Sequence, residues 1–77
     1  MATEADWHIL QSSMVRAVSY VDDTRELRVR FVSGAIYRYR DVPPDVAASL
    51  ISPPDGSSGR YFNEHVRDAF DYDEEPR

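Results

Sequence analysis

The stretch Glu26-Leu-Arg-Val-Arg-Phe-Val-Ser-Gly-Ala-Ile-Tyr-Arg-Tyr-Arg-Asp41 decides the fold, because it predicts a β-hairpin with two chemically different faces. On both sides of a short link, apolar or aromatic residues alternate with arginines, which is the period of strands that bury one face. The link is Val32-Ser33-Gly34. Glycine at its third position favours a three-residue turn, because that residue needs a positive φ to form the bulge.

This turn sets the register of the two strands. It pairs the apolar residues with one another: Phe31 with Ala35, Val29 with Tyr37, and Leu27 with Tyr39. The arginines then share the other face, where Arg40 meets Glu26 in an expected ion pair and Arg28 meets Arg38. Like charges directly opposite each other repel, so this last pair is either screened by water or arranged to receive an anion. A two-residue turn would place the tyrosines beside arginines, and we prefer the register that buries more apolar surface.

Around the hairpin, the chain predicts a third strand and two helices. Residues 14–21 form a β-rich run whose broken alternation indicates a bulge near Arg16-Ala17. Pro43-Pro44 suits the first turn of a helix that must end before Pro53. Ser57 or Ser58 can cap a second helix, whose apolar side repeats every four residues: Phe62, Val66 and Phe70.

The expected fold is therefore α+β, with a three-stranded antiparallel sheet in the order β-β-β-α-α and both helices packed on one face. Residues 1–9 are expected to be a loose N-terminal segment, 10–70 a single domain and 71–77 a frayed acidic tail. Seventy-seven residues without cysteine allow neither disulfides nor a cysteine-based metal site. No apolar run reaches signal-peptide or transmembrane length, so we expect a cytoplasmic protein with no membrane partner.

Charge is unevenly distributed along the chain. The formal net charge is −5, which argues against general attraction to nucleic acid or anionic membranes. Residues 16–40, however, hold six arginines against three carboxylates, whereas the remainder holds three arginines against eleven. All nine basic residues are arginine, the side chain suited to bidentate contacts with phosphate or carboxylate. A biased genomic composition would explain the use of arginine instead of lysine equally well.

An ordered set of motifs resembles the KTSC domain family across residues 10–70. The matching positions run from the first strand to the last helix: Ser12-Ser13, Tyr20, Leu27-x-Val-x-Phe31, Gly34, Tyr37-x-Tyr39, Val42-Pro43 and Gly59-x-x-Phe62-Asn63-x-x-Val66-Arg67. The family is named for its place at the C-terminus of some lysyl-tRNA synthetases and also occurs as small bacterial proteins. The resemblance implies no established activity, and association with the synthetase suggests RNA binding. The chain departs from the pattern at Ala47, where an aromatic residue is common, and in a longer loop at residues 52–56.

Two groups of residues are candidate binding sites. Tyr37 and Tyr39 could stack bases, although their preferred direction is into the core. The arginines of the hairpin could hold phosphates, although a solvated face neutralised by the acidic tail is the favoured alternative; they are Arg28, Arg30, Arg38 and Arg40.

A possible polar site brings together residues from both ends of the domain: Ser12, Ser13, Tyr20, Ser57, Gly59, Asn63 and Arg67. The segment before the second helix could bind an anion, although a helix cap explains it fully. The remaining side chains could line a pocket or tie the first strand to the last helix, and we favour the structural interpretation.

Catalysis is not expected, because neither His8 nor His65 has the spacing of a triad or a zinc site. We predict no catalytic, cofactor or metal-binding residues. The sequence favours a small binding module for RNA or another polyanion. The alternative is a protein–protein adaptor or homodimer whose arginine face meets an acidic surface. An enzyme acting on a small anion near Ser12, Ser13, Asn63 and Arg67 would require a cleft there.

Overall fold

A computed structural model of the chain describes residues 7–54 and 56–76. Within these residues, an antiparallel sheet of five strands runs in the order β1-β2-β3-β4-β5. Two helices lie between the fourth and fifth strands in the sequence. The elements are β1 (His8–Ile9), β2 (Val15–Val21), β3 (Glu26–Phe31), β4 (Ile36–Tyr39), α1 (Pro44–Ile51), α2 (Ser58–His65) and β5 (Tyr72–Glu74).

The expected α+β class with an antiparallel sheet and two helices is confirmed, but the expected number of three strands is wrong. The structure adds a strand at each edge, β1 of two residues and β5 of three. Strands this short are too brief to show an alternation of apolar and polar residues. The sequence therefore did not predict them, and both lie in the terminal segments that were expected to be loose or frayed. Residues 1–6 of the expected loose segment lie outside the described residues.

The predicted register of the central hairpin is confirmed. Leu27 pairs with Tyr39 and Val29 with Tyr37, and the Phe31 amide donates to the Ala35 carbonyl at 2.9 Å. Gly34 has φ 99°, and its amide donates to the Phe31 carbonyl at 2.9 Å. The turn is therefore a three-residue link that needs glycine at its third position.

The predicted bulge is also confirmed, because the register between β2 and β3 shifts between Val15 and Ala17. The extra residue lets Arg16 remain exposed while both of its neighbours are buried. The bulge therefore keeps the apolar positions of β2 against the core on both sides of the irregularity.

The second helix begins as predicted but ends earlier. The Ser57 side chain accepts a hydrogen bond from the Arg60 amide at 3.2 Å, which makes Ser57 the N-cap. The helix ends at His65, so its expected continuation to Phe70 is wrong. The chain leaves the helix at this point because residues 72–74 return to the sheet edge and pair with β4.

The core lies between the sheet and the helices. Leu50 of α1, Phe62 of α2 and the capping residue Val66 are each at most 2% exposed and join the buried apolar positions of the sheet. In the same interface, a Cβ added to Gly59 would lie 2.9 Å from the Ser12 Oγ. That oxygen accepts from the amides of Met14 and Val15 at 3.1 and 3.2 Å. Gly59 therefore gives α2 room to approach the turn before β2.

We predict that Gly59→Ala destabilises the domain even though alanine is the better helix former. The new methyl group must displace the Ser12 Oγ, and the amides of Met14 and Val15 would then lose their hydrogen bonds to this oxygen. We expect a net loss of about 1 kcal/mol in the free energy of unfolding, since lost hydrogen bonds outweigh a gain in helix propensity of similar size or smaller. Urea unfolding of Gly59→Ala, Ser12→Ala and the double variant checks this. The two losses should be less than additive, and strict additivity would contradict the contact.

Candidate functional site

The face of the sheet that carries the hairpin arginines is called here the outer face. Residues directly opposite each other in an antiparallel sheet share a face, so the pairing of Arg28 with Arg38, and of Arg38 with Asp73, places all three on it. Its charged members are four arginines and three carboxylates: Arg28, Arg30, Arg38, Arg40, Glu26, Asp73 and Glu75. The helices pack against the opposite, apolar face.

The Glu75 carboxylate lies between the two arginines that face each other across the hairpin. Its Oε2 is 3.1 Å from the Nε of Arg28 and 3.6 Å from the Nε of Arg38. The Glu75 amide also donates to the Ile36 carbonyl at 2.7 Å. The repulsion between these arginines is therefore relieved by an oxyanion, which the chain itself supplies.

The other ion pairs of the outer face also involve the C-terminal segment or a neighbouring strand. Arg40 contacts Asp73 through its Nη1, and the Nε of Arg38 lies 3.8 Å from Glu26. The expected ion pair between Glu26 and Arg40 does not form within residues 7–54 and 56–76. Once β5 is in place, Asp73 is within reach of Arg40, so Arg40 turns toward this strand.

Trp7 adds an aromatic ring to the outer face. The guanidinium carbons of Arg28 and Arg30 lie 5.1 and 4.4 Å from its ring centroid, both within cation–π range. In the part of the chain that the structure describes, Arg30 has no carboxylate partner. The outer face thus carries the Trp7 ring with Arg30 against it, and the Arg28 and Arg38 pair joined by the Glu75 carboxylate.

The two tyrosines of β4 lie on the apolar face, as the register predicts. Tyr39 is 1% exposed and belongs to the core. Tyr37 is half-buried and stacks on Tyr72 of β5, with centroids 4.9 Å apart and planes at 11°. Neither ring shares a face with the arginines, so the pair does not form a stacking platform beside the phosphate-binding candidates.

A cleft of about 590 Å³ opens on the apolar face, beyond the tip of the hairpin and beside the end of α2. Five rings line it and contact one another in series at centroid distances of 4.9 to 5.8 Å: Phe31, Tyr37, Tyr72, Tyr39 and Phe62. Ser13, Ser33, Arg67 and Asp68 add polar groups to its wall. Its volume lies within the usual range for a small-molecule site.

The predicted polar site is only partly assembled. Ser13 and Arg67 line the cleft together, and Arg67 donates to the Asn63 Oδ1 at 3.3 Å. The Tyr20 hydroxyl instead donates to the Val42 carbonyl and ties β2 to the start of α1.

The remaining predicted polar-site residues shape the backbone. Ser12 accepts from the amides of its own turn and lies against Gly59. Ser57 caps α2. Ser12, Ser57 and Gly59 therefore have structural roles, and none of them lines the cleft.

The sequence did not predict the residues that the edges of the sheet contribute to the outer face and to the cleft. Trp7, Tyr72 and Glu75 stand outside the hairpin, and nothing in the periodicity of a three-residue strand reveals its position. The available signal was chemical rather than periodic: Tyr72 stands beside carboxylates, a composition that suits a segment reaching both aromatic rings and arginines.

Two further features bear on function. Among the described residues, no three His, Asp or Glu side chains come together in a way that could hold a metal ion. Likewise, no helix in this part of the chain is long and apolar enough to cross a membrane.

Comparison with known proteins matches residues 11–75 to the family model of the KTSC domain. The chain belongs to the KTSC domain family. Its fold agrees with the crystal structure of a KTSC domain protein from Yersinia pestis, with a TM-score of 0.84 and 24% identity over 91% of this chain and 96% of that one.

Relatives of this KTSC domain occur both as small proteins and inside a much longer one. An uncharacterised protein of Stutzerimonas stutzeri is 46% identical over 71% of this chain and 75% of its own length. A lysine–tRNA ligase of Nostoc punctiforme is 33% identical over 83% of this chain, and the match spans 11% of the ligase.

We predict that the Tyr39 phenol of this KTSC domain ionises at a higher pH in the folded than in the unfolded chain, because its pKa is raised on folding. Burial raises its pKa from 10.0 to about 12, with smaller contributions from Tyr72 and Tyr37. The unfolded chain loses this proton first, so stability is intact below pH 10 and is lost as the pH rises toward 12, by about 2 to 3 kcal/mol in all.

Unfolding measured between pH 9 and 12 for the wild type and Tyr39→Phe checks this prediction. The phenylalanine variant should lose less stability over this interval. Equal losses in the two proteins would show that Tyr39 keeps an ordinary pKa.

Proposed function

We propose that this KTSC domain is a non-catalytic binding module that binds RNA through its outer face. The observation that supports this proposal is the Glu75 carboxylate held between Arg28 and Arg38 at 3.1 and 3.6 Å. A phosphate has the same charge sign and the same acceptor atoms as a carboxylate, and arginine binds both with similar geometry. The two arginines therefore have a spacing suited to a single oxyanion.

The aromatic ring on the outer face and the family relatives favour RNA among the possible polyanions. Trp7 lies against Arg28 and Arg30, and interleaved rings and cations are typical of surfaces that bind single strands by stacking and phosphate contacts. A relative of this domain forms part of a lysine–tRNA ligase, which acts on an RNA. An RNA ligand of this kind implies a cytoplasmic site of action.

An RNA strand must compete with the carboxylates that already neutralise the outer face. The side chains of these ion pairs are 22% to 58% exposed. Exposed pairs of this kind contribute about 0 to 1 kcal/mol each. A strand that contacts several arginines at once can displace them, because it also releases condensed counterions.

A catalytic role is not proposed, because the candidate groups are dispersed. His8 lies exposed in β1 and His65 at the end of α2. The tail carboxylates Asp73 and Glu75 are occupied by arginines. An acid–base pair needs groups held together at the same reacting atom.

We predict that removing the competing carboxylates strengthens RNA binding. Fluorescence anisotropy of a labelled single-stranded RNA pool, titrated across a salt series, should show affinity that falls linearly in a log–log plot. Asp73→Asn/Glu75→Gln should bind more tightly, and Arg28→Ala/Arg38→Ala about tenfold more weakly, with a salt slope smaller by roughly 1.4, since each phosphate contact with a single strand contributes about 0.7.

Arg60→Ala/Arg67→Ala is the matched control, because it also removes two positive charges, one in α2 and one just after it, away from the outer face. Equal weakening by this control and by Arg28→Ala/Arg38→Ala would mean that binding depends on net charge alone. No binding at low salt, even by Asp73→Asn/Glu75→Gln, would refute the proposal, since low salt favours every phosphate contact.

A second candidate function is association with an acidic protein segment, including that of another copy. The favouring observation is β5 itself, an acidic strand of three residues that pairs along β4 while its neighbour Glu75 enters the arginine pair. A partner that supplies the same segment would gain backbone hydrogen bonds at the sheet edge and ion pairs on the outer face.

If the chain associates with the acidic segment of another copy, we predict that it forms a dimer in which the two copies exchange β5. Light scattering should show a molar mass that rises with protein concentration and falls with salt. Asp73→Asn/Glu75→Gln should shift the transition to higher concentration, whereas Asp68→Asn, outside the strand, should not. A constant monomer mass in all three proteins would exclude the exchange.

A further inference from the structure

The cleft on the apolar face is lined by a buried phenol whose hydroxyl has no hydrogen-bond partner among the residues that the structure describes. Tyr39 is 1% exposed and lines the cleft. Its hydroxyl makes no hydrogen bond within residues 7–54 and 56–76, yet no buried side-chain nitrogen or oxygen of these residues lacks a partner. The hydroxyl oxygen is therefore not fully enclosed by these residues, and the open space that Tyr39 lines is the cleft.

The wall of the cleft also carries a guanidinium. Arg67 lines it, is exposed, and among the described residues makes one long hydrogen bond, to Asn63 at 3.3 Å. Arg67 lowers the pKa of the Tyr39 phenol more than the neighbouring Asp68 raises it. Two donors, one neutral and one cationic, thus belong to residues in the wall of the same cleft.

The rest of the lining suits a flat apolar body. Phe31 and Phe62 meet edge to face at 5.5 Å, and Tyr37 and Tyr72 stack at 4.9 Å. Rings in such arrangements offer both faces and edges to a further ring. The volume of about 590 Å³ has room for a bicyclic compound with water around it.

We propose that the cleft binds a small aromatic carboxylate. The aromatic ring of the ligand packs among Phe31, Tyr37 and Tyr72, and its carboxylate accepts hydrogen bonds from the Tyr39 hydroxyl and the Arg67 guanidinium. This site is on the opposite face of the sheet from the arginines that contact RNA in the proposed function, so either can fail without the other.

The experiment compares two probes with the same rings. The first is 2-naphthoate and the second is 2-naphthylmethanol, which has no charge. Binding is followed by the NMR chemical shifts of the tyrosine rings of the intact chain. We expect 2-naphthoate to bind saturably with Tyr72 and Tyr37 shifting most, and the alcohol to bind about tenfold more weakly, because its neutral hydroxyl cannot form an ion pair with the Arg67 guanidinium.

Two variants test the assigned donors. Tyr39→Phe keeps the ring and removes a hydroxyl that bonds no described residue, so it should fold normally and weaken 2-naphthoate about tenfold while leaving the alcohol unchanged. Arg67→Gln should do the same, and Arg60→Gln is the control of equal charge. The unfolding midpoint of each variant shows whether it is folded.

Three results with the two naphthyl probes would overturn the proposal. They are equal binding of the acid and the alcohol, unchanged binding of the acid by folded Tyr39→Phe, and no binding of the acid at millimolar concentration. A preference for uridine, a neutral ring with carbonyl oxygens, over 2-naphthoate would also overturn it, since that would assign the donors to a nucleobase.

Discussion

The pairing of Val29 with Tyr37 across the central hairpin is the constraint on which the remaining structure depends. It places the arginines of both strands on one face and the aromatic residues on the other. A shift of one residue would exchange the faces and bury guanidinium groups against the helices, at a cost no small core could offset. The turn that sets this register needs only one special residue, Gly34 with φ 99°. The positions of the core, the outer face and the cleft all follow.

The short fifth strand connects the two surfaces. Because its residues alternate, Tyr72 stacks on Tyr37 inside the cleft, while Asp73 contacts Arg40 on the outer face. Beyond the strand, Glu75 completes the neutralisation of Arg28 and Arg38. A segment expected to be a frayed acidic tail thus contributes to both candidate sites. This dual placement also means that release of β5 would change both surfaces together.

Most of the central fold could be predicted from local chemistry. The hairpin register, the bulge near Arg16 and the cap at Ser57 each depend on residues close in sequence, where alternation and turn preferences are strong signals. The edge strands could not be predicted, because two or three residues carry no periodic signal and their pairing depends on distant residues. The end of α2 at His65 could not be predicted for the same reason. Phe70 has the spacing of a third apolar turn, but the chain must leave the helix for β5 to reach β4.

The candidate sites were predicted less completely than the fold. The arginines were correctly assigned to one face, and the structure adds the carboxylates and the Trp7 ring that alter its charge. The cleft could not be derived, since it forms where the hairpin tip, the end of α2 and β5 meet in space. Its notable polar group, the Tyr39 hydroxyl, belongs to a residue that the register identifies only as core. That this hydroxyl bonds none of the described residues depends on its three-dimensional surroundings, which the sequence does not reveal.

An NMR titration of the arginine side-chain Nε–H groups with a short single-stranded RNA tests directly whether the outer face binds RNA. The signals of Arg28, Arg30 and Arg38 should shift with saturation, while those of Arg60 and Arg67 should stay in place. Shifts confined to Arg67, or no shift in any arginine at low salt, would contradict an RNA-binding outer face.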